Sequence, residues 1–393
     1  MSTCLPVYVY TEVYMTTRGL WQVNNGDPLG AVREVLRSLL DKKIVGALLV
    51  PVEGARHSVM PALVKNATRL DHANPFAPVM AFNSARLVSM LTRDSSSPAL
   101  PGGGAKVGVV LRSCEIRALI ELVKFNQAKL DNAIIIGVDC FGTYSLPEYV
   151  NALKQTPDLV SQMLEHARIG DVDAYPFRPA CAMCEHPTPS HADIAIGFIG
   201  IDSAKALAVE MRDDIAGQMG LQVNAAGADS RNSVLANLVA MRTTARDAEI
   251  ENFRRQMRSN GGMASYFADC LECTNCMNAC PICYCKECFF RSANAEHAPR
   301  ELFRSAERAG ALTMPPDALL FQMTRLNHMA TSCIGCGMCE AACPHDIPLT
   351  AMFRAVGARV QKEFDYVPGH DVNEKPPFME FKRDELEKIG EMQ

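Results

Sequence analysis

The chain has 393 residues, of which 48% are hydrophobic and 21% charged, and its formal net charge is -5. That length allows two or three domains with sizeable cores, and a mildly acidic balance without a dense basic tract excludes nucleic acid as the main partner. No apolar run approaches the roughly 18 residues that span a bilayer, and residues 1–10 lack a basic region followed by an apolar one, so the 16 cysteines imply metal ligation in a reducing cytoplasm rather than secreted disulfides.

Residues 24–30 (NNGDPLG) form a loop that enters a helical stripe of Ala31, Val32, Val35, Leu36, Leu39 and Leu40. A glycine-bearing loop at a helix start presents backbone N–H groups that suit a phosphate, although most such loops are plain turns. Residues 44–50 read as a buried strand ended by Pro51, and residues 59–64 as a further candidate strand. A short helix is expected over 83–93, then a surface connection over 95–104 rich in Ser, Pro and Gly. Residues 106–111 form a core strand followed at once by Arg112-Ser113-Cys114-Glu115, with a helix over 116–125. A second core strand over 133–138 ends in Asp139-Cys140-Phe141-Gly142.

Strands joined through a helix usually lie parallel, and open α/β sheets gather ligands beyond the carboxyl ends of their strands. Cys114 and Cys140 both follow a strand end and so belong on one edge. Cys181 and Cys184 form a C-x2-C pair in the loop RPACAMCEH, ahead of a strand over 192–199. The four thiols have the makings of one cluster site. Alternatively, Cys114 and Cys140 are ordinary buried thiols, or Cys181 and Cys184 belong to a zinc loop.

Residues 202–220 read as a helix and 232–259 as a longer one, with Val234, Leu235, Leu238, Val239 and Met241 on its apolar side. Its charged second half is a solvated face or a docking surface. A domain boundary is expected between about 230 and 262, giving an α/β domain over 1–245, a mainly helical domain over 246–366 and a tail over 367–393 that ends in a short helix.

The second part carries one spelling twice: Cys270, Cys273, Cys276, Cys280 and then Cys333, Cys336, Cys339, Cys343, each C-x2-C-x2-C-x3-C followed by proline. Three thiolates at this spacing wrap one iron–sulfur cube, and the fourth reaches the neighbouring cube. The expected grouping is therefore crossed: Cys270, Cys273, Cys276 and Cys343 hold one 4Fe-4S cluster, and Cys333, Cys336, Cys339 and Cys280 the other. Structural zinc seldom uses such a string. Residues 281–332 are a long insert with helix-like stretches at 301–310 and 316–330, so the two-cluster domain is expected to be helical. Cys283, Cys285 and Cys288 have no place in the crossed grouping; they pack beside a cluster, or join Cys4 or another group in a further centre.

The segments GDPLGAVREVLRSLLDKKIVGALLV, VVLRSCEIRAL, IIIGVDCFGTY and RPACAMCEHPTPSHADIAIGFIG together resemble the beta-subunit family of coenzyme F420-reducing hydrogenases and F420-dependent formate dehydrogenases. The C-terminal part is similar to the helical two-cluster ferredoxin domains of the formate dehydrogenase branch and of heterodisulfide-reductase-type subunits. The resemblance implies an FAD and a 4Fe-4S cluster in the N-terminal domain, the latter on Cys114, Cys140, Cys181 and Cys184. It also implies a soluble hydride carrier and a partner such as a formate dehydrogenase or hydrogenase catalytic subunit, or a heterodisulfide-reductase-like module. The chain departs from the family pattern at residues 111–114 and 26–30, so the carrier is read as F420 or NAD(P)H. Gly26, Gly30, Ser113 and Arg117 are the expected flavin contacts, and membrane contact is expected only through another subunit. The competing expectation is a flavin-free iron–sulfur relay that bridges two redox enzymes.

Overall fold

The computed structural model describes residues 16–93, 106–220, 223, 228–259, 261–295, 299–311, 315 and 317–380. Its first part is a seven-stranded sheet in the order β1-β7-β6-β5-β4-β2-β3. Here β1 is Thr16–Gln22, β2 Ala47–Glu53, β3 Val59–Val64, β4 Val107–Arg112, β5 Ala133–Val138, β6 Ile194–Gly197 and β7 Ala206–Arg212. The centre, β2, β4, β5 and β6, is parallel, while β3 and β7 pair antiparallel on either side and β1 closes the sheet against β7. Every residue of β4 and β5 is buried, as expected for strands covered on both faces.

Alternate residues serve the two faces. Val110, Ile134, Ile136 and Ile196 pack beneath helix α1 (Pro28–Asp41), whose buried stripe is Ala31, Val32, Val35, Leu36 and Leu39. Val107, Val109 and Ile135 pack against α2 (Ala85–Thr92) and α3 (Ser113–Lys124). After β5 come α4 (Leu146–Gln155), opened by a reciprocal Ser145–Glu148 cap, and α5 (Leu159–Ile169), then the single turn α6 (Pro179–Ala182).

Two expectations need correction. Residues 202–220 are not one helix but strand β7 followed by α7 (Asp213–Met219). The segment ALAVEMR is rich in helix formers, yet Leu207, Val209 and Met211 alternate into the core and the strand bonds to β6 on one side and β1 on the other. Tertiary pairing overrides local propensity here. Strand β2 also runs through Pro51: pairing with β4 ends at Leu49, and Pro51 lies opposite Pro61 of β3, where neither ring is asked for a ladder donor.

Helix α8 (Ala228–Arg258) runs through residues 245 and 246 and reaches both parts of the molecule: Leu238 joins the sheet core, whereas Ile250 and Phe253 join a second core. That second core gathers Phe267, Met277, Phe290, Phe321, Met352 and Phe353 among short helices. These are α9 (Gly262–Tyr266), α10 (Asn275–Ala279), α11 (Pro299–Ala309), α12 (Ala318–Met329), α13 (Met338–Ala341) and α14 (Leu349–Glu363). The insert thus carries its two expected helices as α11 and α12. Beyond α14 the chain returns across α3 as a strap around Tyr366, Pro368 and Gly369. The expected connection over 95–104, Cys4 and the short terminal helix lie outside the described residues. No described helix is long and apolar enough to cross a membrane.

Candidate metal centres

Cys270, Cys273, Cys276 and Cys343 line one cavity, walled by Phe321 and Leu349. Cys333, Cys336, Cys339 and Cys280 line another, with Phe353 and Arg325 in its wall. The fourth cysteine of each run therefore sits with the first three of the other, which is the crossed grouping. Each loop winds its thiols to one side through left-handed residues at matching places: Glu272 and Thr274 have φ of 53° and 59°, where the second run has Gly335 and Gly337 at 71° and 68°. Glycine is required at 337 for a further reason, since a Cβ there would overlap that of Ala180 in α6.

Polar side chains reach the first group from α12. Gln322 points Nε2 at Cys270 Sγ (3.5 Å), and Arg325 donates from Nη1 to Cys276 Sγ (3.0 Å) and from Nη2 to the Cys276 carbonyl (3.3 Å). Among the described residues no three His, Cys, Asp or Glu side chains approach closely enough for a single metal ion. A cubane cluster holds its thiolates on a wider frame.

Cys114 stands in the first turn of α3 directly after β4, Cys140 follows β5, and Cys181 and Cys184 flank the end of α6. Strand order puts β4 and β5 side by side, so the first two emerge together. Asp139 fixes the β5 end: its carboxylate accepts from the amides of Phe198 and Ile199 (3.0 Å each) and from Arg231 Nη1 and Nη2 (2.7 and 2.9 Å). Cys140 then donates its amide to the Pro187 carbonyl (2.8 Å), tying it to the loop that carries Cys184.

The four thiols act on one another. Burial pushes Cys114 well up, with Glu115 and the sulfurs of Cys140, Cys336 and Cys184 adding to the effect. Burial likewise pushes Cys140 up to about 11, against the pull of Arg112. Cys181 differs: burial raises it, but Arg178, hydrogen bonding with Thr143 and the charge of Arg242 together leave it below its ordinary value. Its Sγ lies 3.3 Å from Thr143 Oγ1 and 3.7 Å from Arg178 Nη2. Buried thiolates need positive partners. Three buried arginines, Arg112, Arg178 and Arg242, flank this group, so its chemistry fits an anionic thiolate-ligated cluster.

Residues 104–228 match the model for the C terminus of the coenzyme F420 hydrogenase/dehydrogenase beta subunit, and residues 265–347 match that for a 4Fe-4S dicluster domain. The F420-dependent formate dehydrogenase subunit beta of Methanocaldococcus jannaschii is 26% identical over 95% of this chain and all of its own length. Subunit beta of F420-dependent formate dehydrogenase 1 from Methanococcus maripaludis is 26% identical over 90% of this chain and 94% of its own. Over most of its length the chain is similar to beta subunits of F420-dependent formate dehydrogenases, and its part over 104–228 matches the coenzyme F420 hydrogenase/dehydrogenase beta-subunit model. It is an oxidoreductase subunit with an iron–sulfur dicluster domain. A chain of the F420-reducing [NiFe] hydrogenase complex from Methanosarcina barkeri is more loosely similar, with a TM-score of 0.44, 15% identity, and coverage of 61% of this chain and 93% of that one.

The expected flavin contacts each have their own local environment. Gly26 sits in a turn after β1, and the Gly30 amide donates to Asp27 Oδ1 (2.8 Å), so the start of α1 is capped by its own aspartate. Ser113 and Arg117 follow β4 in the first turns of α3. Ser113 is buried with its hydroxyl unpartnered. Arg117 is buried and donates to the carbonyls of Pro368 (3.1 and 2.9 Å) and Ile334 (3.2 Å), clamping the sheet part to the strap and the second cysteine run.

Arg117 also lines a cavity of about 370 Å³ between the two parts, together with His186, Arg246, Arg354, Lys362 and Cys333. Glu185 in its wall is shared by Arg246 and Arg354 (2.5 Å to the latter). The cations outnumber the carboxylates in this cavity, so its chemistry fits an anionic cofactor. The sequence reading overlooked Arg178, Thr143, Arg242, Gln322 and Arg325. Only Arg178 carried a local signal, three residues before Cys181.

Proposed function

We propose that this chain is the flavin- and iron–sulfur-containing electron-transfer subunit of a multisubunit oxidoreductase. It would exchange a hydride between FAD and F420 or NAD(P)H and pass single electrons through three 4Fe-4S clusters. The observation that supports the proposal is that Cys270, Cys273, Cys276 and Cys343 line one cavity and Cys280, Cys333, Cys336 and Cys339 another, with Cys114 and Cys140 at the ends of neighbouring strands. The relatives named F420-dependent formate dehydrogenase subunits favour F420 over NAD(P)H as the carrier, and a formate dehydrogenase catalytic subunit as the partner. When bound, a flavin exchanges electron pairs as hydride and the clusters accept electrons singly.

The protein's own residues would supply position and charge. Cys270, Cys273, Cys276 and Cys343 would hold the first cluster, Cys333, Cys336, Cys339 and Cys280 the second, and Cys114, Cys140, Cys181 and Cys184 the third. Arg246, Arg354 and Lys362 would face the anionic part of the flavin in the cavity that ends at Cys333. We place the division between the flavin-bearing and two-cluster parts near residue 245, within α8, with a tail after 366. Cys273 is the exposed member of the first group, which favours that end for docking a catalytic subunit.

A flavin-free relay is the second reading, and the engagement of the Gly30 amide and the Arg117 guanidinium favours it. Anaerobic purification with iron and flavin analysis separates the two. About twelve irons and one FAD per chain, with the flavin bleached by F420H2 and not by NADH or NADPH, is the expected result; full iron without flavin in intact protein supports the relay, and little iron overturns both.

A further inference from the structure

Two arginines stand between the cysteine groups, and neither has a carboxylate partner among the described residues. Arg325 is 4% exposed; among the described residues its hydrogen-bond and ring partners besides Cys276 are Gln322 Oε1 (3.0 Å) and the rings of Phe321 and Phe353. Arg178 is 6% exposed and directs Nε to Thr143 Oγ1 (3.0 Å), Nη1 to Met338 Sδ (3.3 Å) and Nη2 to Cys181 Sγ (3.7 Å). A buried cation without a counter-charge is strongly disfavoured, so each must find its negative charge elsewhere.

The sulfurs supply it. Arg325 meets Cys276 Sγ of the first group at 3.0 Å and stands in the wall of the cavity lined by Cys280, Cys333, Cys336 and Cys339 of the second. Arg178 lies 3.7 Å from Cys181 Sγ of the third group and 3.3 Å from the Sδ of Met338, the neighbour of Cys339 in the second. Each guanidinium thus faces two neighbouring groups, and the middle group is flanked on both sides.

We propose that Arg325 and Arg178 set the reduction potentials of the clusters, each as the shared counter-charge of two neighbouring cysteine groups. The inference rests on the iron–sulfur reading of these cysteines. Reduction adds one electron to a centre that is already anionic, and a fixed cation or an N–H···S bond stabilises the reduced form more than the oxidised one. Both arginines therefore raise the potentials of the groups they face. Arg325 has the stronger effect, because its contact with Cys276 is 3.0 Å against 3.7 Å between Arg178 and Cys181.

The test is a redox titration of the intact, anaerobically purified chain followed by EPR, with iron counted in every sample. Arg325→Met with full iron should lower one midpoint at least about tenfold in the reduction equilibrium, 59 mV for one electron, and a second by less. Arg178→Met should lower a different midpoint by a smaller amount, and Arg325→Lys, which keeps the charge but loses the planar fork, should fall between wild type and Arg325→Met. Full iron with all midpoints unchanged in Arg325→Met overturns the proposal. If that variant loses iron, unchanged midpoints in iron-replete Arg325→Lys and Arg178→Met overturn it instead. Absence of iron from the wild-type protein would sink the iron–sulfur reading itself, a different result from unchanged midpoints.

Discussion

Asp139 offers the sharpest test of how the sheet places Cys140. Its side chain is fully buried, and its two oxygens take four hydrogen bonds, two from the amides of Phe198 and Ile199 after β6 and two from Arg231 of α8. Asp139→Ala strands both amides at about 1–3 kcal/mol each and breaks a largely buried ion pair whose disruption costs about 3–5 kcal/mol. These losses overlap, because Arg231 keeps the Ile199 carbonyl (2.6 Å) and some access to water, so about 4 kcal/mol is the expected total. With a urea slope of about 3 kcal/mol/M, the unfolding midpoint of the sheet part should fall by roughly 1.3 M. Asp139→Asn should cost less than half as much, since one amide oxygen can still take the bonds now made to Oδ2. The assay is far-UV circular dichroism in urea, with Arg18→Ala as the control, because the Arg18–Glu210 pair is exposed at 71% and 42%. If Asp139→Ala shifts the midpoint no more than Arg18→Ala does, the carboxylate is not what holds the strand ends together.

Crossed grouping makes Cys343→Ser remove the same EPR signal as Cys270→Ser, and Cys280→Ser the same as Cys333→Ser; sequential pairing would instead couple Cys343 with Cys333. Gly337→Ala should destabilise the chain by about 2–4 kcal/mol in urea, from its left-handed backbone and the overlap with Ala180. Gly310→Ala, at φ +70° with nothing within 4 Å of a new Cβ, should cost only about 1 kcal/mol, and equal costs for the two would show that the approach to α6 is not tight. Tyr366→Phe removes a donor to the buried Glu121 carboxylate (2.7 and 2.8 Å) and should cost about 2 kcal/mol; hydrogen exchange at the Gly369 amide, which also donates to Glu121 (2.8 Å), should quicken with it. Unchanged exchange would mean that the Tyr366 hydroxyl does not hold the strap in place.

The cysteine groups were legible because cluster geometry writes itself into spacing: C-x2-C-x2-C-x3-C-P is the period at which a turn presents three thiols to one side. The edge shared by Cys114 and Cys140 was legible because apolar strands over 106–111 and 133–138, joined by a helix, have few ways to pair. The strand β7 was not, since Ala206, Leu207, Glu210 and Met211 are good helix formers and only their neighbours β6 and β1 make them extended. Nor were the arginines. Arg325 lies on a helix whose sequence says nothing about which sulfurs it meets, and Arg117 reads as an anion binder at a helix start until the strap, some 250 residues later, closes over it. Local pattern carries ligand spacing and strand burial, whereas counter-charge depends on contacts between distant segments.

The seam between the sheet and the helical part shows why those contacts take the form they do. Two protein layers can be joined by apolar packing alone, which carries no desolvation cost. Here Ile334 packs into the sheet core and Tyr284 meets Phe125, but the joint also carries Arg117 on the carbonyls of Pro368 and Ile334, Glu185 between Arg246 and Arg354, and the backbone of Gly337 against Ala180. Each of these ties lies within a few residues of a cysteine: Ile334 and Gly337 flank Cys333 and Cys336, Glu185 follows Cys184, and Ala180 precedes Cys181. A cationic seam is favourable only where negative charge must be buried beside it. Its composition therefore follows from the thiolates it surrounds, and its tight backbone approach at Gly337 keeps the second and third groups at a fixed separation.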